Sequence, residues 1–97
     1  MYTAYKISEP TYFAPYYTYK IKKNTEITSL LRGVVVNTFS LSPNKKEVYI
    51  YNEDKDLTLY IGGLSKVRTR INKKVKVGDV IGLSDSTLLV GLANGKI

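Results

Sequence analysis

The sequence has 97 residues and a net charge of +7, with 15 Lys and Arg against 8 Asp and Glu. A chain of this length holds one small domain with a single hydrophobic core. Hydrophobic residues make up 43% and charged residues 24% of the chain, which excludes extensive disorder and collagen-like or coiled-coil composition. The absence of Cys and His excludes disulfides and Cys or His nucleophiles.

Neither a membrane span nor an export signal is evident in the sequence. No stretch is long and apolar enough to cross a bilayer, and the N-terminus lacks a charged region followed by an apolar run. We therefore expect no signal peptide, no transmembrane segment and no membrane partner. The expected location is a virion or the cytoplasm.

Residues 1–18 differ in composition from the rest of the chain, because they are rich in tyrosine and contain Pro10 and Pro15. Proline fixes its own φ and pushes the preceding residue toward extended geometry, so we interpret this segment as an extended arm. The rings either pack on the domain's own surface as an edge strand or contact a partner, and a disordered arm is the third alternative. The candidate partner-binding residues are Tyr2, Tyr5, Tyr12, Phe13, Tyr16, Tyr17 and Tyr19.

Residues 19–97 have a hydrophobic period of two, which is typical of β-strands. A polar connection at residues 52–56 separates two apolar runs and predicts a hairpin. We predict that residues 19–97 form an all-β domain, a small barrel-sandwich hybrid of about eight short strands. The predicted strands are residues 18–22, 26–29, 32–39, 47–51, 57–61, 66–71, 80–84 and 88–92.

Two parts of the chain, residues 19–36 and 69–82, share a pattern. In each, a basic strand turns through Lys and Asn into a short apolar pair, and a turn marked by Gly begins a new apolar run. The pattern suggests a weak internal repeat, whose two units would interlock to form one core.

Several stretches resemble the lysostaphin-like peptidoglycan endopeptidases, over residues 19–97. Asn24-Thr25-Glu26-Ile27 before Gly33-Val34-Val35-Val36 resembles the opening turn and strand of that family, and Asn94-Gly95-Lys96 resembles its close. The resemblance implies the barrel-sandwich fold of those enzymes. The central stretches that carry it are Val48-Tyr49-Ile50-Tyr51-Asn52, Leu57-Thr58-Leu59-Tyr60, Gly63-Leu64-Ser65-Lys66-Val67 and Val75-Lys76-Val77-Gly78-Asp79-Val80-Ile81-Gly82-Leu83-Ser84.

The sequence departs from this family at the zinc site. The resemblance implies one zinc ion bound by an upstream His and Asp and by the second His of a His-x-His pair, with another His acting on the attacking water. Here Gly63 stands where a Tyr-Ala-His-Leu-Ser segment would carry its histidine, and the His-x-His region reads Asp85-Ser86-Thr87-Leu88-Leu89-Val90. Without imidazoles, that tetrahedral site cannot be built. We therefore expect a protein that is not an enzyme, with no catalytic residue, no metal site and no cofactor.

A basic stripe is the strongest electrostatic feature, because no acidic residue lies among residues 65–77. Strand alternation would place Lys66, Arg68 and Arg70 on one face. The stripe is interpreted as a solvated face that protects an edge strand, as a contact for an acidic protein surface, or as a nucleic-acid contact. The lack of aromatic residues in residues 62–97 makes nucleic acid the less favoured partner. The stripe residues are Lys66, Arg68, Arg70, Lys73, Lys74 and Lys76.

Three functions are compatible with these observations. The leading hypothesis is a structural or assembly protein, such as an auxiliary capsid protein or similar small virion component of a bacteriophage. Its arm would contact other protein subunits on an acidic lattice or oligomeric surface. The alternative is a catalytically inactive endopeptidase-like module that binds cell-wall peptide or a cell-division partner. A nucleic-acid-binding barrel is the further alternative.

Overall fold

The computed structural model describes residues 17–97, which fold into nine β-strands and contain no helix. The strands form two antiparallel sheets, a six-stranded sheet of order β1-β9-β5-β4-β3-β7 and a three-stranded sheet of order β2-β8-β6. The all-β prediction is thereby confirmed. The strands are β1 (Tyr17–Lys20), β2 (Thr25–Thr28), β3 (Gly33–Ser40), β4 (Lys46–Asn52), β5 (Leu57–Leu64), β6 (Lys66–Val67), β7 (Lys74–Val75), β8 (Val80–Ser84) and β9 (Thr87–Asn94).

The hairpin of β4 and β5 forms where the polar connection predicted it. Tyr49 pairs with Tyr60 across the two strands. In the connecting turn, the Asn52 side chain accepts a hydrogen bond of 2.7 Å from the Lys55 amide, and Asp56 adopts a left-handed φ of 51°. Asn and Asp adopt such conformations more easily than most other residues, which is why this polar sequence closes the hairpin.

The hydrophobic core lies between the two sheets. Alternation along β4 directs Val48 and Ile50 into this core and directs Glu47 and Tyr49 to the opposite side. We call that opposite side of the six-stranded sheet the outer face. The buried core residues are Ile27, Val35, Val48, Ile50, Leu59, Ile61, Leu64, Val75, Ile81 and Val90.

The outer face has a smaller apolar cluster of its own. Tyr60 is 2% exposed and packs in this cluster with Tyr49, Leu89, Ala93 and Ile97. The C-terminal residues reach this face through the buried Thr58, whose hydroxyl donates to the Gly95 carbonyl at 2.6 Å and accepts from the Ile97 amide at 3.2 Å. The chain end therefore covers part of the outer face.

The two units of the weak repeat interlock, as the sequence suggested. β2 of the first unit pairs with β8 of the second, where Ile27 faces Gly82. Conversely, β7 of the second unit pairs with β3 of the first, where Gly33 faces Val75. Each unit therefore supplies a strand to a sheet that the other unit helps to build.

The second unit differs from the prediction in two places. Strand β6 ends at Val67, although the prediction extended it to residue 71, and β7 is an additional strand. The physical reason is that this part of the chain crosses from the three-stranded to the six-stranded sheet. Left-handed backbone at Asn72 (φ 75°) and Gly78 (φ 95°) turns the chain on either side of β7 and keeps that strand short.

The first strand begins inside the predicted arm. Tyr17 and Thr18 belong to β1, which pairs with β9 at the edge of the six-stranded sheet. The rest of the predicted arm, residues 1–16, lies outside the described residues. Residues 17–97 contain no helix long and apolar enough to cross a membrane.

We predict that Gly33→Ala destabilises the fold, because a Cβ at this position would lie 2.2 Å from the Tyr51 carbonyl oxygen of the paired strand. Relieving that overlap requires a backbone shift, with an expected loss of about 2–3 kcal/mol in the free energy of unfolding. Gly95→Ala is the control, because its Cβ would meet nothing within 4 Å, although its φ is +84°. Its expected loss is about 1 kcal/mol. Urea denaturation measures both, and equal losses would contradict the prediction.

Candidate functional site

A groove of about 680 Å³ lies beside the edge of the six-stranded sheet where β7 pairs with β3. Residues of both strands line it together with the β4–β5 turn and the C-terminal segment. Val34 and Tyr51, which pair with each other across β3 and β4, contribute to its wall from the outer face. The lining residues are Arg32, Gly33, Val34, Val36, Tyr51, Asn52, Glu53, Asp54, Asn72, Lys74, Val75, Lys76 and Lys96.

The groove is cationic. Arg32, Lys74, Lys76 and Lys96 line it against two acidic residues of the β4–β5 turn, so positive charges outnumber negative ones by four to two. These cations come from three separate parts of the chain, before β3, in or after β7, and near the C-terminus. Their convergence creates a local positive potential that favours an anionic ligand. We call this feature the cationic groove.

Tyr51 is the aromatic residue of the cationic groove. The Lys96 ammonium lies 5.9 Å from the centroid of its ring, within the range of a cation–π contact. Its hydroxyl donates to the Asp56 carboxylate at 2.6 Å. This hydrogen bond is the main reason that the pKa of Tyr51 is raised above its ordinary value of 10.0, with burial and the charges of Asp56 and Glu53 acting in the same direction. The phenol therefore stays protonated at neutral pH.

Side-chain hydrogen bonds fix the backbone around the cationic groove. The buried Asn52 amide donates to the Arg32 carbonyl at 2.7 Å, which ties the start of β3 to the β4–β5 turn. The Arg32 guanidinium also donates to the Asp54 carboxylate of the same turn. On the other side, the Lys76 amide donates to the Asp79 carboxylate at 2.9 Å. The groove is thus built on restrained backbone, while its cationic side chains extend into solvent.

The structure divides the predicted basic stripe between two sheets and the segments beside their short strands. All six stripe residues are exposed, but Lys66 lies in β6 of the three-stranded sheet, whereas Lys74 lies in β7 of the six-stranded sheet. Of the stripe, only Lys74 and Lys76 line the cationic groove. The sequence analysis missed Arg32, Tyr51 and Lys96 as site residues. No local pattern joins these three positions. The pairing of β3 with β4 brings Arg32 near Tyr51, and the pairing of β9 with β5 brings the segment that carries Lys96 to the same place.

Two of the predicted arm residues can be placed. Tyr17 and Tyr19 lie on β1 at the sheet edge, with 57% and 49% of their surface exposed. On β9, Val90 pairs with Tyr17 and Leu88 pairs with Tyr19. Tyr2, Tyr5, Tyr12, Phe13 and Tyr16 lie outside the described residues.

The backbone around Gly63, where the resemblance would place a histidine, is closely packed. Gly63 has a φ of +77°, and a Cβ there would lie 2.1 Å from the Thr87 carbonyl oxygen. The Ser84 hydroxyl lies 3.0 Å from the Gly63 carbonyl and 3.2 Å from the Thr87 carbonyl, so it holds the end of β5 against β9. The Asp85 carboxylate accepts a hydrogen bond of 2.9 Å from the backbone amide of Asn24. A larger side chain at position 63 requires movement of this backbone.

The donors at this place do not fit the zinc ion that the resemblance implies. Asp85 carries the carboxylate of the segment from residue 84 to residue 90. Its Oδ1 already accepts a hydrogen bond from the backbone amide of Asn24. Residues 17–97 contain no group of three or more His, Cys, Asp or Glu side chains close enough to share a metal.

The outer face carries one carboxyl group with a shifted pKa. Glu47 is half-buried, and this burial raises the pKa of its carboxyl above the ordinary value of 4.5. The Tyr60 hydroxyl donates a hydrogen bond of 2.9 Å to the Glu47 carboxylate. This hydrogen bond lowers the pKa of Glu47, but its effect is smaller than that of burial. Edge-to-face packing joins Tyr60 to Tyr49 and Tyr49 to Phe39, with ring centroids 5.4 and 5.5 Å apart.

Solved structures with the same fold support the predicted resemblance. LytU superimposes with a TM-score of 0.74 at 20% identity, over 82% of this chain and 61% of that chain. The catalytic domain of the prophage-encoded M23 protein EnpA from Enterococcus faecalis, as an A109H mutant, gives a TM-score of 0.72 at 25% identity, over 81% and 66%. The solution structure of lysostaphin gives 0.73 at 17% identity, over 82% and 36%. No protein-family model and no curated protein sequence matches the chain.

These comparisons confirm a lysostaphin-like fold and correct one expectation. The expectation that the chain is not an enzyme is wrong, because a structural neighbour is the catalytic domain of an M23 protein. That expectation depended on the residue types at a few positions, whereas the likeness depends on strand order and packing over most of this chain. The chain spans less than two thirds of the length of each of these three neighbours.

We predict that Glu47 makes folding stability depend on pH. Because its pKa is higher in the folded than in the unfolded chain, the folded chain holds the proton more tightly. This contribution to stability is complete below the unfolded value of 4.5 and is lost as pH rises through the folded pKa. Glu47→Gln removes it while keeping an oxygen that can accept from Tyr60. The free energy of unfolding of both proteins, measured by urea denaturation from pH 4 to pH 7, should diverge as pH rises from the unfolded value to the folded pKa of Glu47 and then differ by a constant amount. Curves that are parallel over the whole range would show that the shift is absent.

Proposed function

We propose that the chain, which has a lysostaphin-like fold, holds an anionic cell-wall peptide in the cationic groove. The observation that supports this most directly is the convergence of Arg32, Lys74, Lys76 and Lys96 on one groove. The likeness to lysostaphin and to the M23 protein EnpA suggests the class of ligand. These neighbours suggest only the class of ligand, whereas the binding site is formed by the residues of this chain.

The chemistry of the groove suits a peptide with free carboxylates. Lysine ammonium and arginine guanidinium groups donate charge-assisted hydrogen bonds to carboxylates, and these are stronger than hydrogen bonds between neutral groups. The ring of Tyr51 and the half-buried Val34 and Val36 provide apolar surface for the rest of the ligand. The volume of about 680 Å³ is that of a small-ligand site and accommodates a few peptide residues.

The proposal includes the inference that the family's zinc-binding histidines have no counterpart in these 97 residues, since the sequence contains no histidine. It therefore concerns the binding of peptide and uses no metal. Cleavage of the bound peptide is a separate property. Mass spectrometry of the peptide after incubation with the protein detects cleavage in the same experiment.

We predict that Lys74→Glu and Lys96→Glu each weaken peptide binding by about tenfold, which corresponds to about 1.4 kcal/mol. Fluorescence polarisation with a fluorescein-labelled cell-wall stem pentapeptide, carrying free side-chain and C-terminal carboxylates, measures the dissociation constant. Lys45→Glu is the matched control, because Lys45 is exposed in the β3–β4 connection and does not line the groove.

The control separates local contacts from net charge, because all three variants change the charge of the protein equally. Equal weakening by Lys45→Glu would mean that only the overall charge attracts the peptide, which contradicts the proposal. The same peptide with both carboxylates amidated should bind weakly to the wild-type protein. A single-stranded oligonucleotide added as competitor tests the prediction that the basic stripe contacts nucleic acid.

An assembly role is a second candidate, favoured by the edge strand β1. Tyr17 and Tyr19 project from this strand with about half of their surface exposed, and their strand is unpaired on one side within the described residues. Exposed edge strands can add a strand from a partner protein, and tyrosine is enriched at interfaces. This candidate keeps the prediction of a virion component that contacts other subunits.

We predict that a Tyr17→Ser, Tyr19→Ser double variant reduces incorporation into particles if the assembly role holds. Quantitative mass spectrometry of gradient-purified particles from the native source measures the copy number of the chain. Leu41→Ser is the control, because Leu41 is an exposed apolar residue in the β3–β4 connection, 66% exposed. Absence of the wild-type chain from all particle fractions would exclude this role.

A further inference from the structure

One cation of the groove is already paired with a carboxylate of the protein itself. The Arg32 guanidinium and the Asp54 carboxylate form the only ion pair within residues 17–97. Both side chains line the cationic groove, and both remain largely exposed, at 63% and 68%. The lysines of the groove have no such partner among the described residues.

The partners of this ion pair are held close by the backbone. Asn52 is 4% exposed, and its amide nitrogen donates to the Arg32 carbonyl at 2.7 Å. Its amide oxygen accepts the Lys55 amide at 2.7 Å, within the turn that carries Asp54. One buried side chain thus ties the start of β3 to the β4–β5 turn. Arg32 and Asp54 are therefore neighbours whether or not a ligand is present.

We propose that Asp54 is an internal competitor for Arg32, and that a carboxylate of the bound peptide displaces it. This inference rests on the proposed function, because it concerns how Asp54 limits peptide binding to Arg32 in the same groove. In the free protein, Asp54 occupies the guanidinium. On binding, the peptide carboxylate takes its place and Asp54 turns to solvent.

The energetics favour an exchange of this kind. Ion pairs between exposed side chains contribute little to stability, because water and salt screen them and both side chains lose entropy. Replacing one carboxylate by another at an exposed guanidinium requires little new desolvation. Arginine also offers a planar pair of donors that matches both oxygens of a carboxylate, which the groove's lysines do not. Arg32 therefore fixes the orientation of a bound carboxylate more closely than Lys74 or Lys96 does.

Glu53 provides a matched control for this inference. It lines the groove in the same turn as Asp54 and is exposed, but it forms no ion pair within residues 17–97. Glu53→Gln and Asp54→Asn remove the same charge from the same part of the groove. Only Asp54→Asn releases Arg32, so the difference between the two variants isolates the competition.

The experiment measures binding of the fluorescein-labelled stem pentapeptide to the wild type and to these variants. Asp54→Asn should bind about three- to fivefold more tightly than the wild type, which is the range expected for release of an exposed ion pair. Glu53→Gln should change the affinity by less than about twofold. Adding Arg32→Gln to each variant should abolish the difference between them, because no guanidinium remains to be released.

The outcomes separate this inference from the proposed function. If the wild type binds the peptide and Asp54→Asn equals Glu53→Gln, the competition is refuted and the binding function stands. If the difference persists in the Arg32→Gln background, Asp54 acts by charge alone and the inference also fails. If the wild type does not bind the peptide, both are overturned. Thermal unfolding of each variant verifies that the exchanged surface residues leave the fold intact.

Discussion

The exchange of strands between the two halves of the chain is the constraint on which the rest of the structure depends. Strand β2 pairs with β8, and β7 pairs with β3, so neither half can complete its sheet alone. The buried Ser29 lies at a crossing point, where its amide donates to the Asp79 carbonyl and its carbonyl accepts from the Gly78 amide, both at 2.9 Å. Because these pairings join residues distant in sequence, loop-closure entropy is lost before their contacts stabilise the core.

The cationic groove is a direct consequence of that exchange. Pairing of β7 with β3 carries Lys74 and Lys76 from the second half of the chain to the side of Arg32 and Tyr51 in the first half. The close approach of Gly33 to the Tyr51 carbonyl fixes the spacing of β3 and β4 along the groove wall. Charges that are scattered in the sequence therefore become one local field of positive potential.

The sequence predicted the sheets better than the site, for physical reasons. Strands of four or more residues show their alternation, and the polar turn at residues 52–56 marks its hairpin, so these elements were placed within a few residues. Strand β7 has two residues, which is too short to show a period, and no strand was predicted there. The groove requires Arg32 and Lys96, whose meeting depends on tertiary pairing alone. The resemblance to the lysostaphin-like family anticipated the fold, whereas the expectation about catalysis drawn from missing histidines was wrong.

The position where the resemblance places a histidine and the cationic groove lie toward different edges of the six-stranded sheet. Gly63, where the family resemblance places a histidine, packs against Thr87 of β9, next to the edge strand β1. The groove adjoins β7 at the opposite edge, and its lining includes no residue of β5 or β9. Because a fold can carry different sites on one framework, likeness in fold does not determine the chemistry of the groove. Substitutions in the groove therefore change its charge without altering the packed backbone around Gly63.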